Sequence, residues 1–147
     1  MSACLLGEYC RYDGKTKKED EIIKAYKDYE IIPFCPEAPL FGTPRERISV
    51  VEIEGMHRII TDDSKKDVTE LLEKAIKDFV KSNPHVDAIV LKSKSPSCGL
   101  GTTPVVDIKG KVLYLGNGIA AQIFQNEYTD IDIKDDKFVE KLEKVML

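Results

Sequence analysis

The chain of 147 residues contains no apolar run near the length of about 20 residues that a membrane-spanning helix requires. Its first residues, Met1 to Gly7, also lack the basic stretch and apolar core of a secretory signal peptide. A cytoplasmic location is therefore expected, where cysteine thiols stay reduced. The four cysteines are accordingly expected to bind metal or take part in catalysis rather than form disulfides.

Other common signatures are also missing. No internal repeat, low-complexity tract or linker divides the chain, so residues 1–147 are predicted to form a single domain. No G-x-G-x-x-G fingerprint follows the first predicted strand, which leaves a dinucleotide cofactor without support. The net charge of −4 argues against a general surface for polyanions, although a local basic patch is compatible with it.

The pattern of apolar residues predicts strands that alternate with helices. Helices are predicted at 19–29, at 67–82, after 118 and at 135–146, and strands at 30–34, 48–53, 57–61, 87–92 and 128–133, with a hairpin or strand pair within 107–115. Such alternation is typical of a parallel sheet covered by helices. The predicted fold is α/β: a Rossmann-like domain with a mostly parallel sheet, helices on both faces and antiparallel hairpin additions.

Three cysteines each follow a predicted strand. Cys4 follows the apolar start of the chain, Cys35 follows residues 30–34, and Cys98 lies in the loop after residues 88–91. Because the carboxyl ends of parallel strands form the edge where α/β proteins bind ligands, the three thiols are expected to converge there. Three converging thiolates indicate a soft-metal site.

The spacing of these cysteines is a weak signal by itself, since it contains no C-x-x-C pair. Four buried cysteines acting as small apolar residues would be the ordinary interpretation. The neighbouring residues argue against it, because Cys35-Pro36-Glu37 and the segment from Ser95 to Gly99 are polar loops that contain Pro or Gly. Such loops suit close approach of the backbone to a ligand.

Three interpretations of the metal remain open from the residues alone. Three thiolates fit a [4Fe–4S] cluster in which one iron lacks a protein ligand. Cys10 as a fourth ligand would instead close the cluster and leave a structural or electron-transferring site. Three cysteines around zinc, with an open position, would resemble a hydrolytic site.

Polar side chains near the cysteines are candidates for catalysis and binding. Glu37 is the best-placed carboxylate for proton transfer, and Ser95 and Ser97 are candidates for hydrogen bonds to a substrate or a cluster sulfur. A solvated acid and ordinary turn serines are the competing interpretation. The residues predicted to contact substrate are Cys10, Arg11, Asp13, Arg45 and Asn117. Arg47, Lys92 and Lys94 add positive charge near the same loops.

Together these loops resemble the thiouracil desulfidase family of small iron–sulfur proteins. The resemblance rests on segments in family order over nearly the whole chain: Ser2-Ala3-Cys4-Leu5-Leu6-Gly7, Cys10-Arg11-Tyr12-Asp13-Gly14, Phe34-Cys35-Pro36-Glu37, Pro44-Arg45, Lys92 to Gly99, and Gly116-Asn117-Gly118-Ile119-Ala120. It implies a [4Fe–4S] cluster bound by Cys4, Cys35 and Cys98, with an exposed fourth iron.

The activity that this resemblance implies is non-redox desulfidation of a thiolated pyrimidine of the thiouracil or 4-thiouridine type. In this hypothesis the open iron binds the thiocarbonyl sulfur, and a water deprotonated by Glu37 attacks the carbon. Ser97 or Ser95 would orient the substrate or relay the proton.

Two rival functions use the same cysteines differently. An extra sulfide on the open iron, in a [4Fe–5S] cluster, would make the chain a sulfide donor to a tRNA-thiolating enzyme. A non-enzymatic module with zinc or a fully ligated cluster is the second rival. A thiolated tRNA is a further candidate partner, docking through the basic residues Arg45, Arg47, Lys92 and Lys94.

Overall fold

The computed structural model describes residues 1–14 and 19–138. A 3-10 turn, Ala3–Leu6, comes first. The elements that follow are α1 Asp20–Ala25, α2 Ala38–Phe41, β1 Ile48–Ile53, β2 Met56–Thr61, α3 Thr69–Ser82, β3 Ala88–Leu91, β4 Thr103–Val106, β5 Val112–Gly116, α4 Ile119–Glu127 and β6 Asp132–Asp135. The predicted α/β class is confirmed. Within the described ranges, no helix is long and apolar enough to cross a membrane.

The prediction of a mostly parallel, Rossmann-like sheet is wrong. A four-stranded mixed sheet has the order β2-β1-β4-β5, and β3 pairs with β6 in a second sheet. In the larger sheet β1–β2 and β4–β5 are antiparallel and only β1–β4 is parallel. The reason is local, since two tight hairpins supply four of the strands, and a hairpin can only join antiparallel neighbours.

The turn between β1 and β2 illustrates this constraint. Its two central residues, Glu54 and Gly55, have φ values of 51° and 76°. Positive φ at both positions is the geometry of a type I′ turn, whose twist matches that of the flanking strands. The hairpin predicted at 48–53 and 57–61 is therefore confirmed, with each β1 residue paired to one β2 residue.

Other predicted elements are shifted or shortened. The helix predicted at 19–29 ends at Ala25, and the strand predicted at 128–133 is displaced to Asp132–Asp135. In the stretch predicted as a strand at 30–34, only Phe34 makes a bridge, to Ser2. The helix predicted at 135–146 lies almost entirely outside the described residues.

Helix α3 covers the core through one apolar stripe, as its sequence predicts. Leu72 and Ile76 are fully buried in the main core cluster with Val50 and Ile59 of the four-stranded sheet. The helix starts where the Asp67 carboxylate accepts hydrogen bonds from the N–H and hydroxyl of Thr69, at 3.0 and 2.7 Å. The bond from the Thr69 N–H satisfies a backbone donor that the first turn of the helix would otherwise leave unpaired.

Adjacent leucines on α3 provide a matched test of this core. Leu72→Ala is expected to cost about 2–5 kcal/mol of unfolding free energy, because it leaves a cavity at a fully buried position. Leu71→Ala, at a position that is 56% exposed, is expected to stay within about 0.5 kcal/mol of the parent. Urea denaturation measures both, and equal losses would contradict the orientation of α3.

Candidate functional site

A cavity of about 420 Å³ is lined by all four cysteines of the chain. Cys4 and Cys98 are buried, and Cys10 and Cys35 are half-buried. Side chains from three separate loops complete its wall, including Glu37, Ser95 and Ser97. The structure therefore brings together cysteines that are up to 94 positions apart in the sequence, Cys4 and Cys98.

The N-terminal segment organises this convergence. Ser2 forms a parallel bridge with Phe34, and the Ala3 N–H donates to the Phe34 carbonyl at 2.8 Å. On its other side, the Ser2 N–H donates to the Val90 carbonyl in β3 at 2.9 Å. Cys4, Cys35 and the loop that carries Cys98 thus leave neighbouring segments at the same end.

Burial is the largest influence on the pKa values of the Cys98 and Cys4 thiols. It raises the pKa of Cys98 to about 12, with a further contribution from the negative charges of Glu37, Cys35 and Cys4. Burial also raises the pKa of Cys4, although the positive charge of Lys92 opposes it. Thiolates at these positions would therefore need a strong positive partner such as a metal.

The chemistry of the donor set fits an iron–sulfur cluster. Among residues 1–14 and 19–138, no group of three His, Cys, Asp or Glu side chains is arranged to hold one metal ion. Four thiols lining one cavity, with no histidine in its wall, match the soft ligands that Fe–S clusters use.

Glu37 and Ser97 form the main polar pair of the cavity. The Ser97 hydroxyl donates to Glu37 Oε2 at 2.6 Å, and both residues are buried. Arg45 Nε lies 3.4 Å from Glu37 Oε1, and the same guanidinium donates to the Gly42 carbonyl at 3.0 Å. The carboxylate is therefore held from both sides in one orientation.

Ser95 has a mainly structural set of contacts. Its hydroxyl accepts the Cys98 N–H at 3.0 Å, and its carbonyl accepts the hydroxyl of Thr103 at 2.7 Å. Its hydroxyl also lies 3.4 Å from that of Ser97. These bonds shape the turn that presents Ser97 and Cys98.

The start of α4 supports the Cys98 loop from behind. The Ala120 N–H donates to the Ser97 carbonyl at 2.7 Å, and the Gly118 N–H donates to the Gly99 carbonyl at 2.7 Å. A Cβ on Gly118 would lie 2.5 Å from the carbonyl carbon of Ser97. Glycine at position 118 thus permits the close approach of two backbones, a role that its sequence context did not reveal.

Asn117 and Asp13 are not among the residues that line the cavity. The Asn117 carboxamide oxygen accepts the Gly101 N–H at 2.8 Å, and its amide donates to Gln122 and Gln125 at 3.0 and 2.9 Å. These contacts tie the loop after Cys98 to α4. Asp13 is exposed, in the turn before Gly14.

Positive charge surrounds the cavity although the chain as a whole is acidic. Six basic residues line it: Arg11, Arg45, Arg47, Lys92, Lys94 and Lys137. Tyr12, in the segment Cys10 to Gly14, lies beneath the Arg47 guanidinium at 5.0 Å from the ring centroid. Lys137 is not among the residues that the sequence predicts for the site, and its approach to the cavity follows from the pairing of β6 with β3.

Comparison with known proteins identifies relatives over almost the entire chain. The family model described as 2-thiouracil desulfurase matches residues 1–136. A Bacillus subtilis protein named as uncharacterized protein YbbK is 32% identical over 149 aligned positions, which cover 89% of this chain and 97% of that protein.

A solved structure shares the fold as well. The [4Fe-4S]-dependent thiouracil desulfidase TudS superposes with a TM-score of 0.67 at 26% sequence identity, over 99% of this chain and 96% of that one. The family match and this likeness agree with the resemblance that the cysteine loops indicate. The chain belongs to the 2-thiouracil desulfurase family.

Proposed function

We propose that this protein removes sulfur from a thiolated pyrimidine without net redox chemistry, using a [4Fe–4S] cluster bound by Cys4, Cys35 and Cys98. The observation that carries the proposal is the shared cavity in which these thiols lie beside the hydrogen-bonded pair Glu37–Ser97. A cofactor site and a proton-transfer pair at one place are what a desulfidation reaction requires. The [4Fe-4S]-dependent activity of TudS supports the same assignment.

The cluster, when bound, would supply an iron open to the substrate sulfur, a soft Lewis acid that makes the thiocarbonyl carbon electrophilic. Cys4, Cys35 and Cys98 would hold it from the ends of three neighbouring segments. The six basic residues around the cavity compensate the negative charge of three thiolates in a buried site.

Glu37 would act as the general base. Its carboxylate accepts a proton from a water, which then attacks the thiocarbonyl carbon, and the sulfur leaves as hydrosulfide. Arg45 and Ser97 hold the two carboxylate oxygens, so the base is oriented before substrate arrives. The Ser97 hydroxyl donates to Glu37 and lines the cavity in which the substrate would bind. It is therefore placed to relay a proton between base and substrate.

The basic residues bear on the choice of substrate. A free thiolated base, a thiolated nucleotide and a thiolated tRNA share the thiocarbonyl, but the latter two also carry phosphate. Arg45 is paired with Glu37. Arg11, Arg47 and Lys94 also line the cavity, and they could bind an anionic group of the substrate. The proposed substrate class is a thiouracil- or 4-thiouridine-type pyrimidine.

Replacing the cluster ligands tests the cofactor assignment. Protein reconstituted anaerobically is expected to show broad visible absorption from sulfur-to-iron charge transfer and to release sulfide from a thiolated pyrimidine. Cys35→Ala or Cys98→Ala should abolish both, since each removes one of three ligands. Cys10→Ser, a cysteine change in the same cavity, should keep the absorption. A fully loaded Cys35→Ala protein would contradict the ligand set.

Replacing the proposed base tests the mechanism separately. Glu37→Gln is expected to keep the visible spectrum but lower the turnover number about 10²–10⁴-fold, the usual contribution of general acid–base catalysis. Glu8→Gln, at an exposed acid near the site, serves as the control and should turn over normally. Normal turnover of Glu37→Gln would remove Glu37 from this role. A stable sulfide-loaded cluster with negligible turnover in the parent protein would favour the sulfide-donor function instead.

A pair of glycine variants tests the support of the Cys98 loop. Gly118→Ala should displace Ser97 and lower turnover, because its Cβ would overlap the Ser97 peptide. Gly110→Ala meets no atom within 4 Å but is strained at φ +86°. It is expected to lose stability in urea denaturation while retaining turnover. Equal turnover of the two variants would show that α4 does not position the loop.

A further inference from the structure

Strand β5 exposes apolar side chains along its length. The exposed residues are Ile108, in the turn before the strand, and Val112, Leu113, Tyr114 and Leu115 within it, each between 43% and 78% exposed. We call these five side chains the β5 patch. In the part of the chain that the structure describes, β5 pairs on one side only, with β4, so it is an edge strand.

The sequence of β5 does not protect this edge. The strand contains no charged residue and no proline, the residues with which proteins usually keep an exposed edge from pairing with another chain. Successive side chains of a strand point to opposite faces, so only an approach edge to edge brings the whole β5 patch into contact with one partner. Such an approach also pairs the backbone N–H and C=O groups on the open side of β5.

The size of the β5 patch matches what a dimer of identical chains needs. Each of its five side chains exposes roughly 80–100 Å², which gives roughly 400–500 Å² of apolar surface on one copy. An interface of ordinary size buries about 800 Å² on each partner, of which about 65% is apolar in homodimers. The β5 patch therefore supplies most of the apolar area of such an interface.

Tyr114, the middle residue of β5, is held in a fixed position. Its hydroxyl donates to Glu52 Oε1 at 2.8 Å and lies 2.6 Å from His57 Nε2. The ring therefore loses little rotational freedom when another surface covers it, which lowers the entropy cost of association. Aromatic side chains are frequent anchors of protein interfaces, and Tyr114 suits this role.

We infer that two copies of this chain associate edge to edge through β5 about a two-fold axis. A two-fold contact places the same surface on both sides, and an uncharged apolar patch is complementary to itself. The two β5 strands then run antiparallel, so Lys109 and Lys111, which precede the strand, lie at opposite ends of the contact in the two copies. Like charges stay apart, and the four-stranded sheets of the two copies form one continuous sheet.

The cysteine cavity stays separate from this contact, because other parts of the described chain line it. The dimer therefore does not depend on the proposed function. Substitutions in β5 also leave the proposed catalytic and ligand residues unchanged.

Sedimentation equilibrium of the full chain tests the dimer. The parent is expected to sediment with twice the mass of one chain at micromolar concentrations. Leu115→Lys should weaken dimerisation at least about 100-fold, because each dimer then carries two like charges in its contact. Leu71→Lys, at a similarly exposed leucine on α3, is the matched control and should dimerise as the parent does.

Three results would overturn the inference. A parent that stays monomeric at about 100 μM would do so, whether or not it binds another protein or a lipid vesicle. A well-folded Leu115→Lys protein that dimerises as tightly as the parent would place the contact elsewhere. Growth of larger assemblies would contradict a two-fold contact, which closes at two copies.

Amide hydrogen exchange of the parent gives a second measurement that does not depend on the folding of any variant. The amides of β5 should exchange more slowly as the protein concentration rises, because the dimer covers its open edge. Exchange of the β5 amides at the same rate in monomer and dimer would exclude β5 from the contact.

Discussion

The site depends on hydrogen bonds that hold the first residues of the chain between Phe34 and β3. Ser2 contacts both through its backbone, and its hydroxyl accepts the Lys92 N–H at 2.9 Å. These bonds lie in the interior, where Ser2 is 2% exposed, so breaking them would leave buried polar groups without partners. Three cysteine-bearing loops are thereby brought to one end of the same layer.

Electrostatics set a second constraint on the cavity. Ionising the thiols and Glu37 in this buried cavity costs free energy. Six basic residues surround these groups, in a chain whose net charge is −4. The basic residues come from distant segments, among them Arg11, Arg47 and Lys137. Their concentration at one place provides positive charge for an anionic ligand.

Hydrogen bonds hold both the Cys98 loop and Glu37 in fixed positions. The Ser97–Cys98 peptide lies against the start of α4, and the Ser95 hydroxyl and carbonyl fix the turn from the other side. Glu37 is fixed in turn by Arg45 and Ser97. Side chains held in this way would lose little conformational freedom in the proposed reaction, which is the basis of preorganised catalysis.

The local sequence determined the elements that can be recognised from the spacing of apolar residues or from the residues of a turn. The apolar stripe from Val68 to Val80 predicts α3, although Leu71 within it is 56% exposed. The two strand patterns on either side of Glu54-Gly55-Met56 predict the hairpin of β1 and β2. The strand-end position of Cys4, Cys35 and Cys98 likewise predicts that they meet, since parallel segments end at one edge. The polar residues around Cys98 did not reveal its burial, since Cys98 is 5% exposed and belongs to the main core cluster.

Only the tertiary structure decided the strand order, the extent of the strand before Cys35 and the partners of individual side chains. The parallel pair in the mixed sheet arises because β1 pairs with β4, whose partner residues such as Val50 and Val105 are 55 positions apart, and no local pattern encodes that choice. The bond between Ser97 and Glu37 spans 60 positions, and the closeness of Gly118 to Ser97 spans 21. Such contacts depend on how whole elements pack, a property of the complete chain rather than of any segment.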